Sequence, residues 1–308
     1  MIPTLRVYTH PACLRHDPGI AHAESPARLR AVLQALEDPR FAQLQRIEAP
    51  RATRAQLLRV HDAAYVESIF MSAPETGSLR LDADTVMSPG SLEAAERAAG
   101  AACAAVDAVM KAETSRAFCA VRPPGHHATH DTAMGFCIFN GIAMAAAHAL
   151  EAHGLQRVAI VDFDVHHGNG TQDIFARDAR VLYLSSHQMP LYPGTGAASE
   201  KGVGNIVNAP LPPDAGSREF RAAWDDILLP ALDAFHPQLL LVSAGFDAHR
   251  LDPLAQLQVE TADYAWITRR LRARADAHAQ GRLISVLEGG YNLDALRESV
   301  IAHAAAML

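Results

Sequence analysis

Three side chains in this sequence have the types and spacing of ligands for one metal ion. Asp164 and His166 stand two residues apart in VDFDVHH, and Asp247 follows another apolar run in SAGFDAH. In an extended segment, side chains two positions apart point the same way, so a carboxylate and an imidazole can reach one ion. Three protein ligands leave room for water and substrate, as in a catalytic zinc site, although iron(II) and cobalt(II) accept such ligands too.

Two adjacent histidines offer proton-transfer chemistry. His126 and His127 follow a Pro-Pro-Gly turn in RPPGHH, which fixes their direction without a helix or strand. An isolated histidine pair is usually structural or solvated. Beside a metal centre, however, two imidazoles can share general acid and base work.

The elements that must position these residues alternate along the chain. Apolar runs at 157–165, 180–186, 237–247 and 282–290 predict buried parallel strands, and amphipathic patterns at 91–112, 141–154, 218–235 and 261–279 predict helices. This order predicts an α/β fold of one domain over residues 1–308, with a central, mostly parallel sheet in a three-layer α/β/α arrangement. Three predicted strands end in polar residues, so one edge of the sheet should carry the site.

Composition excludes some classes of partner. The net charge of −7 argues against binding to nucleic acid, which needs a basic surface. No stretch reaches the ~20 apolar residues of a membrane span, and no signal peptide is recognisable at the start. We therefore expect no membrane partner and a cytoplasmic location, with the four cysteines reduced. The oligomeric state is left open.

Several long motifs together resemble one known family. RPPGHHA, MGFCIFN, VDFDVHHGNGTQ, SAGFDAH and LEGGY are similar in order and spacing to motifs of the histone deacetylase superfamily, especially its class II branch and bacterial deacetylase-like relatives. HAESPARLRAVL resembles the amino-terminal stretch of that family, with Ala23 where proline is usual. The resemblance, from about Thr9 to Tyr291, implies the arginase/deacetylase fold and a zinc-dependent, hydroxamate-sensitive amidohydrolase acting on acylated lysine or an acylated small amine.

The same resemblance implies roles for the chemical residues. It makes Asp164, His166 and Asp247 the ligands of one catalytic zinc ion. It makes His127 the general base, with Asn169 as its partner, and His126 a charged neighbour held by Asp162. Tyr291 would hydrogen-bond the substrate carbonyl and stabilise the oxyanion that forms on attack.

The substrate channel and a second ion are also implied. Phe136 and Tyr192 would form facing aromatic walls, with tyrosine a departure from the usual phenylalanine at the second position. The remaining residues assigned to substrate binding are Asp84, Leu254, Gly135 and Gly290. A structural potassium ion, as found in this family, would use Asp162, Asp164, His166, Ser185 and Ser186.

Three other functions compete with acyl-lysine hydrolysis as explanations of these motifs. Acetylpolyamine amidohydrolases share the same catalytic set, but Leu254 stands where a polyamine-selective branch carries glutamate, which favours acyl-lysine. Asp82 and Asp84 keep polyamines open because they could attract a cation. A binuclear arginase-type site would need more carboxylates than DFDVHHGNG and FDAH supply. A catalytically inactive module that binds acylated lysine would lack a ligand or Tyr291, and the sequence retains them all.

Overall fold

A parallel β-sheet forms the centre of the computed structural model, which describes residues 5–308. The strands are β1 (Arg6–Thr9), β2 (Gln45–Glu48), β3 (Leu79–Arg80), β4 (Val86–Met87), β5 (Arg116–Cys119), β6 (Val158–Asp162), β7 (Val181–Gln188), β8 (Ile206–Leu211), β9 (Leu239–Ala244) and β10 (Leu283–Leu287). Eight of them form one sheet in the order β2-β1-β5-β10-β9-β6-β7-β8, and every pairing in it is parallel. The short strands β3 and β4 pair separately and antiparallel.

Helices cover both faces of this sheet. They are α1 (Pro26–Ala35), α2 (Arg54–Leu57), α3 (Ala63–Met71), α4 (Ser91–Met110), α5 (Gly141–His153), α6 (Asn169–Phe175), α7 (Ser217–Ala222), α8 (Leu229–Phe235), α9 (Thr261–His278) and α10 (Leu293–Met307). One group, α4 with α5, packs on β1, β5, β6 and β9, and a second group joins α1, α9 and α10. Every residue of β5, β6, β7, β9 and β10 is buried, as continuous apolar strands covered on both faces must be.

The α/β fold and the parallel sheet were predicted correctly, but several element ends were not. The predicted strands 157–165, 237–247 and 282–290 stop at Asp162, Ala244 and Leu287. After Asp162 and Leu287 the chain turns, and the N–H groups of Asp164 and Gly289 bond to side-chain carboxylates. After Ala244 the N–H of Phe246 bonds to the carbonyl of Gly289, in the loop that follows β10. The chemical residues therefore lie in loops at the carboxyl edge of the sheet.

The helix predicted over 218–235 is interrupted. Between α7 and α8, residues Ala223–Leu228 form a π-helical turn. Pro230 lacks an N–H group, and its ring would collide with the carbonyl of Asp226 in a regular α-helix. A turn with wider spacing accommodates the proline. Between residues 5 and 308, no helix is both long and apolar enough to cross a membrane.

Candidate active site

The three predicted metal ligands meet at the carboxyl ends of β6 and β9. Nδ1 of His166 lies 3.1 Å from Oδ1 of Asp164 and 3.1 Å from Oδ2 of Asp247. One ligand atom from each residue lies within 4.8 Å of the others. Asp164 and His166 do so from a tight turn, not from the extended segment expected, since the carboxylate of Asp164 accepts the N–H of His166 at 2.9 Å.

The surroundings of these ligands are suited to a cation. Asp164 also accepts the N–H of Gly289 at 2.8 Å, and Asp247 accepts that of Val165 at 2.9 Å, so both buried carboxylates are held in place. A Cβ atom at Gly245 or Gly289 would overlap these carboxylates, so the backbone closes tightly around them. Two acid oxygens and one imidazole nitrogen are ligands that zinc accepts. The residues therefore fit a zinc ion.

The pKa of His166 shows how strongly this site attracts positive charge. Burial opposes protonation of His166, but hydrogen bonds to Asp164 and Asp247 outweigh it and raise the pKa of His166 to about 10. A bound metal cation would take the place of that proton, because Nδ1 must be unprotonated to act as a ligand.

The paired histidines are adjacent to the metal ligands and differ in environment. Nδ1 of His126 lies 2.9 Å from Oδ2 of Asp162, and Nδ1 of His127 lies 2.7 Å from Oδ1 of Asn169. Against burial, Asp162 and Asp164 raise the pKa of His126 to about 10. Burial and the charges of His126 and His166 lower the pKa of His127 well below its usual value. One imidazole is thus charged and the other neutral.

Tyr291 follows β10 and approaches the same place from the opposite side. Its ring lies 5.9 Å from that of Phe136, and the Arg28 guanidinium lies 4.8 Å from the ring centre. Burial raises the pKa of the Tyr291 phenol well above its usual value, although Arg28 opposes this. The hydroxyl therefore keeps its proton and can donate a hydrogen bond.

One cavity of about 230 Å³ joins five of the six residues predicted to bind substrate with His127, His166 and Tyr291. It is lined by Asp84, His127, Gly135, Phe136, His166, Leu191, Tyr192, Leu254 and Tyr291. Tyr192 is 38% exposed, as expected for a residue at a mouth, and its ring lies 5.2 Å from that of His127. Gly290 is not among the lining residues. Its carbonyl accepts a hydrogen bond of 2.6 Å from Nε of Arg28 behind the cavity.

The residues proposed for potassium come from the end of β6, the turn that follows it and the neighbouring strand β7. Asp162 at the end of β6 pairs in register with Ser185 on β7. The Ser185 hydroxyl lies 2.8 Å from Nδ1 of His187, and the Ser186 hydroxyl accepts a hydrogen bond from Trp224 at 3.0 Å. A cation here would compete with those partners for the two hydroxyl groups.

A buried charge network, absent from the sequence predictions, supports the cavity from behind. Arg122 and Arg28 both bond the carboxylate of Glu24, and all three side chains are fully buried. The signal for it was present: Glu24 and Arg28 are four residues apart in HAESPARLRAVL, and Arg122 begins RPPGHH. Arg122 thereby fixes the turn that precedes His126.

Two further acids at the site were also missed. The carboxylate of Glu288 accepts the N–H of Gly125 at 2.7 Å and that of His126 at 3.2 Å. Asp252 accepts the N–H of Tyr291 at 2.7 Å. Each is a single acid in a loop that bonds to backbone, and such a residue leaves no periodic or spaced pattern in a sequence.

A second group with metal-ligand chemistry lies between α4 and α5. Nε2 of His148 and Nε2 of His153 lie 2.8 and 2.7 Å from Oδ1 of Asp107. Nδ1 of His148 faces the Arg59 guanidinium at 2.6 Å, and a guanidinium can only donate. Neutral His148 therefore carries its proton on Nε2, towards Asp107, which indicates a hydrogen-bonded tie between helices. His148 is buried, with 7% of its surface exposed.

Comparison with known proteins identifies the family of the chain. A histone deacetylase domain model matches residues 22–307. The chain is 44% identical over 277 residues to a histone deacetylase-like amidohydrolase of Pseudomonas aeruginosa, covering 88% of this chain and 73% of the relative. It is 40% identical over 292 residues to a probable deacetylase of Archaeoglobus fulgidus, covering 92% and 80%.

A solved structure gives the same result. The crystal structure of the HDA15 HD domain superposes with a TM-score of 0.93 at 34% identity, covering 99% of this chain and 89% of that one. The eight-stranded parallel sheet and its helices are therefore those of the arginase/deacetylase fold. The chain belongs to the histone deacetylase family of hydrolases.

Proposed function

We propose that this protein hydrolyses the amide bond of an Nε-acyl-lysine side chain, most directly an acetyl group, with one zinc ion held by Asp164, His166 and Asp247. The observation that carries the proposal is the cavity in which His127, His166 and Tyr291 meet behind an aromatic mouth. The channel suits a straight chain ending in an amide. Burying the four methylenes of lysine between Phe136 and Tyr192 would contribute roughly 3 kcal/mol.

The protein side chains divide the chemical work. A bound zinc ion would supply Lewis acidity to polarise the acyl carbonyl and activate the attacking water. Neutral His127 accepts the proton of that water at Nε2, because its Nδ1 proton is directed to Asn169. The same imidazole then gives the proton to the departing amine nitrogen, which leaves as a neutral amine. The acyl group leaves as a carboxylic acid.

His126 and Tyr291 stabilise charge during this exchange. His126, held by Asp162, stays protonated and places a positive charge beside His127, with ring centres 4.1 Å apart. The Tyr291 hydroxyl donates a hydrogen bond to the carbonyl oxygen as negative charge develops there. Asp84 lines the mouth and could accept hydrogen bonds from the substrate backbone.

Acetylpolyamine hydrolysis is the second candidate. Asp84 at the mouth favours it, because a carboxylate there attracts the distant ammonium group of a polyamine. Leu254, which also lines the mouth, offers no charge to a polyamine and favours acyl-lysine. We place the reaction in the cytoplasm as part of the proposal, since four free, buried cysteines are compatible with a reducing compartment.

The first experiment compares substrates. Zinc-loaded protein is given a fluorogenic acetyl-lysine peptide, N-acetylputrescine and N-acetylspermidine, with and without a hydroxamate inhibitor. We expect hydroxamate-sensitive turnover with the highest kcat/KM for the peptide. Preference for the polyamines would overturn the choice of substrate, and loss of zinc by chelation without loss of turnover would overturn the metal assignment.

The roles of two residues are tested in the same assay. His127→Ala and Tyr291→Phe should each lower kcat by roughly 100-fold or more, because a general base and a transition-state donor are lost. His278→Ala, on α9, and Tyr8→Phe, on β1, are matched controls outside the cavity and should keep the wild-type rate. Near-full turnover by either site variant would contradict its assigned role.

Potassium remains part of the proposal through the family resemblance, with Asp162, Asp164, His166, Ser185 and Ser186 as its ligands. Protein dialysed into tetramethylammonium chloride should melt at a lower temperature than protein in potassium chloride at equal ionic strength. Equal melting temperatures would remove this ion from the proposal.

A further inference from the structure

Asp252 bridges two walls of the cavity through backbone bonds alone. It lies in the loop between β9 and α9 and is 7% exposed. Its Oδ1 accepts the N–H of Leu254 at 3.0 Å. Its Oδ2 accepts the N–H of Tyr291 at 2.7 Å and that of Asn292 at 3.3 Å. One carboxylate therefore serves the loops that follow two different strands.

Those two loops carry the residues that face the substrate. Leu254 and Tyr291 both line the cavity, and Asp252 touches the main chain of each. Buried N–H groups in loops lack a strand partner and need another acceptor, which for Leu254 and Tyr291 is the Asp252 side chain. When this carboxyl group is ionised, the bonds are charge-assisted and stronger than neutral ones.

The position of Tyr291 is fixed by a hydrogen bond of its main chain and not by one of its hydroxyl group. Its hydroxyl has no hydrogen-bond partner among residues 5–308, and its ring is contacted by Phe136 and Arg28. The preceding residue, Gly290, has φ of +121°, a conformation that residues with a side chain rarely adopt. The N–H bond to Asp252 immediately follows this glycine.

We propose that Asp252 is a positioning residue that sets the direction of the Tyr291 phenol and couples it to the Leu254 side of the mouth. It does not touch the reacting atoms. The inference rests on the proposed function only in taking Tyr291 as the donor to the substrate carbonyl.

Asp252→Asn is the informative substitution because it preserves shape. An amide has one acceptor oxygen, so its NH₂ group must face either the N–H of Leu254 or those of Tyr291 and Asn292, and two donors then meet. Loss of a residue that orients an active-site group typically costs 10- to 100-fold in activity. We expect Asp252→Asn to lower kcat for the acetyl-lysine peptide by at least tenfold.

A double-mutant cycle tests whether this loss passes through Tyr291. Wild type, Asp252→Asn, Tyr291→Phe and the double variant are compared in kcat and KM. Because the phenol is already removed in Tyr291→Phe, adding Asp252→Asn there should cost less than about threefold. Asp263→Asn is the matched control, since Asp263 is a buried aspartate on α9 that accepts the N–H of Glu260 at 2.9 Å. Asp263→Asn should change kcat by the same factor in the wild-type protein and in Tyr291→Phe.

The outcomes separate this inference from the proposed function. The positioning role is overturned if the double variant loses kcat by the product of the two single losses. It is also overturned if Asp252→Asn keeps the wild-type rate. A normal rate in Tyr291→Phe alone instead overturns the role of Tyr291. If Asp252→Asn does not fold, hydrogen exchange of the wild-type protein decides: the amides of Leu254 and Tyr291 should exchange slowly, and rapid exchange at Tyr291 contradicts the inference.

Discussion

At the scale of single residues, the candidate zinc site depends on two glycines as well as on its three ligands. Gly245 and Gly289 leave room for the carboxylates of Asp164 and Asp247, and any side chain there would occupy that room. The N–H of Gly289 also holds Asp164 at 2.8 Å. The geometry of the ligands is therefore set partly by two glycines that contribute no ligand atom.

Gly289→Ala should weaken zinc binding by at least roughly tenfold, as disturbed support of metal ligands does elsewhere. The new Cβ would overlap carboxylate oxygens of Asp247 and Asp164, so at least one ligand must move. Competition with a chromophoric chelator measures the affinity. Gly141→Ala is the control, because its Cβ would lie 3.5 Å from Cα of Ala99, an ordinary contact. Wild-type affinity in Gly289→Ala would show that the ligands adapt.

Sequence reasoning at this scale reached the residues with a recognisable spacing. The D-x-H pair, Asp247 and the two histidines were predicted to converge, and their side chains do so. The spacing of Asp164 and His166 predicts an extended strand, but the two residues lie in a turn. A spacing of two residues does not distinguish a strand from such a turn. Asp252, Glu288 and Arg28 were missed, since most of their hydrogen-bond partners are far away in the chain.

At the scale of elements, the fit of α4 depends on one small residue. Gly100 lies in the interior of α4, where the loop at residues 50–52 crosses it. A Cβ atom at Gly100 would overlap the carbonyl of Pro50 and approach the N–H of Ala52. That N–H also donates to the carbonyl of Glu96 at 2.8 Å, so the loop and the helix are tied together.

Gly100→Ala should therefore destabilise the protein, against the usual preference. In an exposed helix the same change stabilises by about 1 kcal/mol. Here overpacking against backbone should lower the free energy of unfolding by about 1–3 kcal/mol. Urea unfolding measures the difference, and Gly141→Ala again serves as the control. An increase in stability for Gly100→Ala would mean that the loop moves away at little cost.

Helix and strand types were predictable, whereas their ends were not. Apolar runs and amphipathic patterns identified four central strands and four long helices. Past the observed strand ends, N–H groups bond to side-chain carboxylates or to loop carbonyls, and the helix at 218–235 is interrupted at a proline. Both effects depend on single residues acting against a good local pattern.

At the scale of the whole molecule, buried neutral histidines link stability to pH. Burial lowers the pKa of His61 to about 4 and that of His187 to about 4. Nδ1 of His61 lies 2.9 Å from the carbonyl of Thr129, and its Nε2 accepts the N–H of Asn140 at 3.0 Å. Protonation at Nε2 would destroy that second bond.

The sign of the effect follows from these pKa values. Above the unfolded pKa of about 6.5, folded and unfolded chains both hold neutral histidines, so the stabilisation is complete. As pH falls from about 6.5 towards 4, the unfolded chain binds protons that the folded chain refuses, and stability falls by up to about 1.4 kcal/mol per pH unit for each histidine. Urea unfolding from pH 7.5 to 4.5 should show this decline. His61→Gln should reduce the slope of the free energy of unfolding against pH by the contribution of nearly one proton. An unchanged slope would mean that the pKa of His61 is the same in the folded and unfolded chains.

The arrangement of the whole sheet was the most predictable level. A parallel sheet places the carboxyl ends of its strands at one edge, so polar residues after three separate strands had to share a region. Topology thus converted a pattern along the chain into a site in space, without knowledge of any side-chain contact.

The charge network around Glu24 also constrains how such a sequence can diverge. Its single carboxylate is bonded by two buried guanidiniums, those of Arg28 and Arg122, which come from separate segments. Changing Glu24 alone would leave two positive charges unpaired in the interior, at a cost of several kcal/mol. Changing either arginine alone would remove a donor from Glu24 and from two buried backbone carbonyls. An evolutionary path away from this trio would therefore require simultaneous exchanges, so these three positions should be inherited as a unit even where the substrate changes.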